Sequence, residues 1–255
     1  MEAAVTRTQG HATGEAGSIL MLITKHFVFI HFQKTGGVFF RRLCREHLPP
    51  DWIVEELERT HAGYDLIPDR YAHLPAIAFI RNPWDWYVSW YHWETQYLGS
   101  GDRPEPQSDT HPWATLLGRG AYDLRQAVTN ACTRREGGRP WEVAMQAWDV
   151  DLLTAAYAIK TGHYPGDLPP ELADRVPRDG RSVEVGRFEH LRDDFLSFLE
   201  RHEVPAPAEF VEAVRASPPR HGSSRGAYED YYDDELRELV AHSARHVIAE
   251  HGYRY

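Results

Sequence analysis

Phe27-Val28-Phe29-Ile30-His31-Phe32-Gln33-Lys34-Thr35-Gly36-Gly37-Val38-Phe39-Phe40 is the stretch on which the fold turns. An apolar, aromatic run meets a polar turn with two glycines, and a second apolar run follows. This pattern predicts a strand over 27–32, a loop over 33–37 and a helix over 38–47. Ala78-Phe79-Ile80-Arg81-Asn82-Pro83-Trp84-Asp85-Trp86-Tyr87-Val88-Ser89-Trp90-Tyr91 repeats it, with a strand over 76–81 and a helix over 83–97. In a parallel α/β sheet such junctions bind oxyanions. The first N–H groups of the helix have no internal partner and carry the positive end of its dipole.

The residue types suit that role. Gly36 and Gly37 tolerate positive φ and let the backbone approach an anion closely. Lys34 offers a flexible point charge and Thr35 a hydroxyl, both matched to phosphate or sulfate oxygens. Pro83 fits the first helical position, and Asn82 with Asp85 resembles a capping box with Asp in place of Glu or Gln. Arg81 leaves the strand just before that helix, and Ser89 lies eight residues on, within reach of the same oxyanion. Taken singly, Arg81 reads equally well as half of a strand-end salt bridge, and the glycine pair as an ordinary turn. Composition favours the anion. Of 28 Lys+Arg only Lys25, Lys34 and Lys160 are lysines, so a chain that otherwise uses arginine keeps a lysine beside the glycine turn.

With these residues in view, the chain resembles the sulfotransferases that use 3′-phosphoadenosine 5′-phosphosulfate (PAPS). His31-Phe32-Gln33-Lys34-Thr35-Gly36-Gly37-Val38 is similar to the 5′-phosphosulfate loop of carbohydrate O-sulfotransferases, where a run such as His-Ile-Gln-Lys-Thr-Gly-Gly-Thr occurs. Arg81-Asn82-Pro83-Trp84-Asp85 with Ser89 resembles the family's 3′-phosphate site. Val185-Gly186-Arg187-Phe188-Glu189-His190-Leu191 resembles the element near the adenine. The tail from Tyr228 to Gly252-Tyr253-Arg254-Tyr255 is similar to the family's last helix and its Gly-Tyr ending. The matches fall in family order over roughly 27–255.

The resemblance implies an enzyme that moves a sulfuryl group from PAPS to an acceptor hydroxyl and releases PAP, without a metal. It assigns the donor site to Lys34, Thr35, Gly36, Gly37, Val38, Phe39, Arg81, Ser89 and Phe188. Arg220, Ser223, Ser224 and Arg225, in a Gly- and Ser-rich basic loop, loosely resemble the loop that closes over the 3′-phosphate; an ordinary connecting loop is the other reading. Val38 and Phe39 stand where the family often carries threonine, so backbone N–H groups must replace the missing hydroxyls. Trp86 stands where the family often has arginine.

Sulfuryl transfer needs a base for the acceptor hydroxyl and positive charge at the departing phosphate oxygen. Lys34 fits the second task. For the first, His61 resembles a histidine that many members carry before the 3′-phosphate strand, so Lys34 and His61 are the catalytic candidates. Glu55 and Glu58 are the alternatives, although such glutamates commonly form a solvated helix face. Trp84, Trp86, Tyr87, Trp90, Tyr91 and Trp93 divide between helix core and a platform for a sugar or aromatic acceptor.

Strands alternating with helices predict an α/β fold: a mostly parallel, doubly wound sheet with a P-loop-like phosphosulfate loop and helices on both faces. Beyond the two junctions, 99–112 has the composition of a loop. Helices are predicted within 113–130 and 141–160, a strand over 183–188, and helices near 190–202, 206–216 and 233–250. Residues 1–17 read as a disordered tail and 18–255 as one sulfotransferase domain. A net charge of -10 disfavours nucleic acid. The apolar run over 18–33 is interrupted by Lys25-His26 and too short to span a bilayer. Cys44 and Cys132 give no disulfide framework. The expectation is therefore a cytoplasmic, bacterial enzyme with a small-molecule or glycan acceptor, no nucleic-acid or membrane partner and no metal ligands. The rivals are an ATP-dependent kinase, whose Walker motif would place Lys-Ser/Thr after the second glycine, and an inactive PAP- or PAPS-binding module.

Overall fold

The structure, a computed structural model, describes residues 21–57, 63–95, 116–118, 121–175, 183–218 and 225–255, and the backbone of 96–100. The tail expected over 1–17 lies outside these residues. Five strands, β1 Met21–Thr24, β2 Val28–Ile30, β3 Ile53–Leu57, β4 Ala76–Ile80 and β5 Glu184–Arg187, form an open sheet in the order β3-β1-β2-β4-β5. The helices described are α1 Gly37–His47, α2 Pro83–Ser100, α3 Leu124–Thr133, α4 Pro140–Trp148, α5 Leu152–Thr161, α6 Leu191–Arg201, α7 Ala208–Ala216, α8 Asp234–Ser243 and α9 Arg245–His251.

The sheet is mixed rather than mostly parallel. β2 pairs in parallel with β4, and β4 with β5, but β1 is antiparallel to both β2 and β3. The cause is the Lys25-His26 interruption. The Thr24 hydroxyl donates to the Phe27 carbonyl (2.8 Å) and accepts the Phe27 N–H (2.9 Å), closing a tight turn that makes a hairpin. A connection this short can join only antiparallel neighbours. β3 then extends the sheet beyond β1, so Glu55 and Glu56 lie on a strand, not on a helix face.

The strand alternation sorts the core. Leu22, Phe29, Ile77 and Phe79 point to one face and pack with Phe40 and Leu43 of α1, Phe195 and Phe198 of α6, and Phe210 of α7. Met21, Ile23, Val28, Ile30, Ala76 and Ala78 point to the other, against Tyr64 and Ile67. Ile80, further along that second face, opens into a larger cluster built by α2 to α5, α8 and α9. Helices thus pack against both sides of the sheet. Each large apolar side chain buried this way contributes about 1.5–3 kcal/mol.

The predicted helix over 233–250 is two helices that break at Ala244. The predicted 141–160 helix is likewise two, α4 and α5, separated by left-handed Asp149 and the capping residue Asp151. α3 starts at a true capping box, Asp123 with Gln126. α2 runs to Ser100, and the rest of the loop expected over 99–112 lies outside the described residues. Among the described residues no helix is long and apolar enough to cross a membrane.

Candidate functional site

β2 ends at Ile30 and α1 begins at Gly37, so residues 31–36 form the junction. Side chains claim four of its carbonyls in succession. Lys160 Nζ donates to His31 O (3.1 Å) and Thr35 Oγ1 to Phe32 O (2.7 Å). Trp86 Nε1 donates to Gln33 O (2.8 Å) and Arg81 Nη1 to Lys34 O (3.2 Å). With three of these acceptors held from outside and one by its own Thr35, the loop keeps an uncommon shape: Lys34 (φ 63°) and Gly36 (φ 79°) are both left-handed on either side of Thr35. Such alternation gathers successive N–H groups into an anion-binding concavity. For a lysine the left-handed region costs roughly 1–2 kcal/mol, which the four anchors offset.

The start of α1 is equally open. Its first helical bond runs from Phe40 N–H to Gly36 O (3.0 Å), so the N–H groups of Gly36, Gly37, Val38 and Phe39 have no partner inside the helix. No side chain caps this end, and its first turn carries no acid. The two glycines are needed for different reasons. Gly36 has positive φ, and a Cβ there would lie 2.9 Å from Leu191 Cδ1 and 3.0 Å from Phe188 Cε2. A Cβ on Gly37 would overlap the His31 ring. Val38 is 48% exposed beside the turn, whereas Phe39 packs under the Arg192 guanidinium at 5.4 Å. Thr35 is buried and its hydroxyl proton serves the loop itself.

Cations converge on this concavity. The Lys34 ammonium sits over the Trp93 ring at 4.1 Å. Burial, then repulsion from Arg81, pulls its pKa down to about 8, against the pull of Glu94. Arg81 binds Asp85 Oδ2 through Nε (2.7 Å) and Nη2 (2.5 Å) and lies over the Phe188 ring at 4.5 Å. Arg225 takes the other Asp85 oxygen. One carboxylate shared by two guanidiniums leaves a net positive charge. Ser89, buried, and Trp93 follow Asp85 at successive helical turns, so all three line one face of α2.

The second junction differs from its prediction. Asn82 Oδ1 accepts the Trp84 N–H (3.1 Å), but Asp85 does not return to the Asn82 N–H, being committed to the two arginines. Glu189 Oε1 takes that N–H instead (2.8 Å), while its Oε2 accepts from Tyr253. Tyr253 also donates to Ile80 O (3.1 Å), and Asn82 Nδ2 to Arg254 O (2.9 Å), so the chain's end fixes the point where Arg81 leaves β4.

Lys34, Thr35, Gly36, Gly37, Val38, Phe39, Arg81, Ser89, Phe188 and Arg225 are therefore brought to one place. Phe188 lies beneath Arg81 and against Gly36. His61, Glu58, Arg220, Ser223 and Ser224 fall outside the described residues. Glu55 is on β3, bound to Arg70 at 2.5 Å. Of the aromatic group, Trp84, Trp86, Tyr87 and Trp90 are core; Trp93 is the ring that meets the loop. Glu189 and Lys160 were not visible as site residues. Lys160 is buried, and desolvation lowers its pKa to about 8; its only sequence signal is that it is one of three lysines. A separate groove of about 470 Å³ between α3 and α8 shares no residue with the loop, and its Arg125 is already paired with Glu235.

Comparison with protein-family models, curated proteins and solved structures gives no match to this chain.

Proposed function

We propose that this protein is a PAPS-dependent O-sulfotransferase, acting on a hydroxyl of a small-molecule or glycan acceptor, and that residues 33–39 are its phosphosulfate loop. The observation that carries the reading is the anchored junction: four successive carbonyls held by side chains, beside an uncapped helix start with Lys34 at its rim. It supports a backbone site for the 5′-phosphosulfate that needs no hydroxyl at positions 38 and 39. Arg81, Ser89 and Arg225, one helical face away, suit the 3′-phosphate.

In the reaction the acceptor oxygen attacks sulfur in line as the bond from sulfur to the phosphate oxygen breaks. The bonding pair stays on that oxygen, giving PAP, and the hydroxyl proton passes to a base. Lys34 and the first-turn N–H groups stabilise the charge that develops on the leaving oxygen. His61 is assigned the base by its resemblance to the family histidine, with Glu58 as the alternative, Glu55 being engaged by Arg70. The reading carries with it a cytoplasmic location and no requirement for metal.

Calorimetry tests it. PAP should bind in the absence of any divalent cation. Magnesium-dependent ATP binding without PAP binding would overturn the reading in favour of a kinase. PAP binding with no transfer of label from PAPS to any fraction of a cell extract would reduce the protein to a binding module.

A further inference from the structure

His92 lies on α2 one turn beyond Ser89 and two beyond Asp85, on the side of the helix that meets Arg225. Its ring meets Tyr231 edge-on at 5.2 Å and Tyr91 at 5.7 Å. Its Nε2 is buried and has no hydrogen-bond partner among the described residues. A buried ring nitrogen left unpaired is costly and calls for a partner that these residues do not supply there. Among the described residues, the facing groups are Arg225 from the segment before the 228–231 turn, Tyr231 from that turn, and Tyr91 on α2 itself, with Asp85 already shared between Arg81 and Arg225. Burial, and then the Arg225 charge, hold the imidazole pKa below its ordinary value.

We propose that His92 is a further ligand of the 3′-phosphate, its Nε2 meeting a phosphate oxygen beside Arg81, Ser89 and Arg225, and that the imidazole takes a proton from solvent when the phosphate arrives. The inference rests on the sulfotransferase reading and adds to it a proton-linked step of donor binding. Its physical basis is a change of sign. Arg225 alone opposes a second positive charge at position 92, whereas a phosphate dianion between them favours one. By linkage, the ligand raises the histidine pKa by as much as protonation tightens the ligand. PAP affinity must then fall as pH rises through the interval between the free and bound values.

The test is metal-free PAP calorimetry from pH 5.5 to 8, in two buffers of different ionisation enthalpy, on the wild type and His92→Gln. Glutamine keeps an N–H donor near the Nε2 position and cannot titrate. The wild type should take up as much as about one proton more per PAP, and its affinity should fall by up to about tenfold more per pH unit. The phosphate's own ionisation near pH 6 is common to both proteins and cancels in the difference. Adenosine 5′-phosphosulfate, which lacks the 3′-phosphate, should show no difference between them. His92→Asn serves as a second variant if His92→Gln fails to fold. Equal proton uptake and equal pH slopes would remove His92 from the site while leaving the donor reading intact. Failure of the wild type to bind PAP at any pH would overturn both.

Discussion

The β2–α1 and β4–α2 junctions look alike in sequence, each a strand, a polar turn and a helix, yet one is left open and the other is closed. At β2–α1 three of the four carbonyls are held by distant side chains and the fourth by Thr35, the N-cap Gly36 makes no side-chain cap bond, and a lysine and a glycine take left-handed backbone. At β4–α2, Pro83 opens the helix, Asn82 caps the Trp84 N–H, Glu189 takes the Asn82 N–H, and the chain's end locks the turn. The first junction leaves the opening N–H groups of its helix without a helical partner. The second commits the Asn82 and Trp84 N–H groups to the fold and presents a side chain, Arg81. The same local pattern therefore yields open backbone donors in one place and a rigid mount for a guanidinium in the other.

The largest effect expected from this contrast is on the open side. Lys34→Ala should lower turnover by about 10²–10³-fold, the usual weight of one preorganised donor at a developing oxyanion, while PAP affinity falls much less. Sulfuryl transfer from labelled PAPS, set beside PAP calorimetry, separates the two. Equal losses would make Lys34 a phosphate anchor and nothing more. The ammonium is the useful form, and burial holds its pKa at about 8 in the free protein. kcat/KM should therefore fall as pH rises through that value. In kcat the same limb should move to higher pH, because the bound donor's negative charge favours the ammonium. A limb that stays in place with Lys34 removed would belong to another group.

Arg81→Ala comes next. It removes a charged contact to the ligand, worth about 1.5–3 kcal/mol of PAP affinity, and it also frees the Lys34 carbonyl. The loss should be greater for PAP than for adenosine 5′-phosphosulfate, because the second lacks the phosphate that Arg81 is assigned. Equal losses for the two ligands would mean that Arg81 acts by holding the loop rather than by touching the 3′-phosphate.

Much of this was legible in the sequence where the cause is local. Apolar runs ending in the Gly36-Gly37 turn and at Asn82-Pro83 placed β2, β4, α1 and α2 within a residue or two, except that α2 is three residues longer. What failed was non-local. The Lys25-His26 break reads as an interruption, yet it is a hairpin that Thr24 closes, and the antiparallel pairing of β1 with β2 and with the sequence-distant β3 is what puts it in the sheet. Asn82 and Asp85 have capping-box spacing, but Asp85 has a stronger claim on it from Arg225, 140 residues away. Lys160 reaches His31 across 129 residues, a contact no local pattern carries. Local chemistry named candidate side chains; tertiary contacts decided which of them the fold itself engages.

The smallest effect tests the closed side. Asn82→Ala removes the Oδ1 cap on Trp84 and the bond to Arg254 O, neither of which is made by a residue of the 31–36 loop. Loss of an N-cap costs about 0.5–2 kcal/mol. In a domain of this size that is a melting shift of about 2–4 °C for each kcal/mol lost. PAP affinity should stay within about threefold of wild type, or less than about 1 kcal/mol, because Pro83 and the Glu189 bond to the Asn82 N–H still fix where Arg81 leaves the strand. Thermal denaturation and PAP calorimetry on the same preparation measure both. A large fall in affinity with an unchanged melting temperature would show that the second junction also gives its backbone to the ligand, and the contrast between the two ends would have to be abandoned.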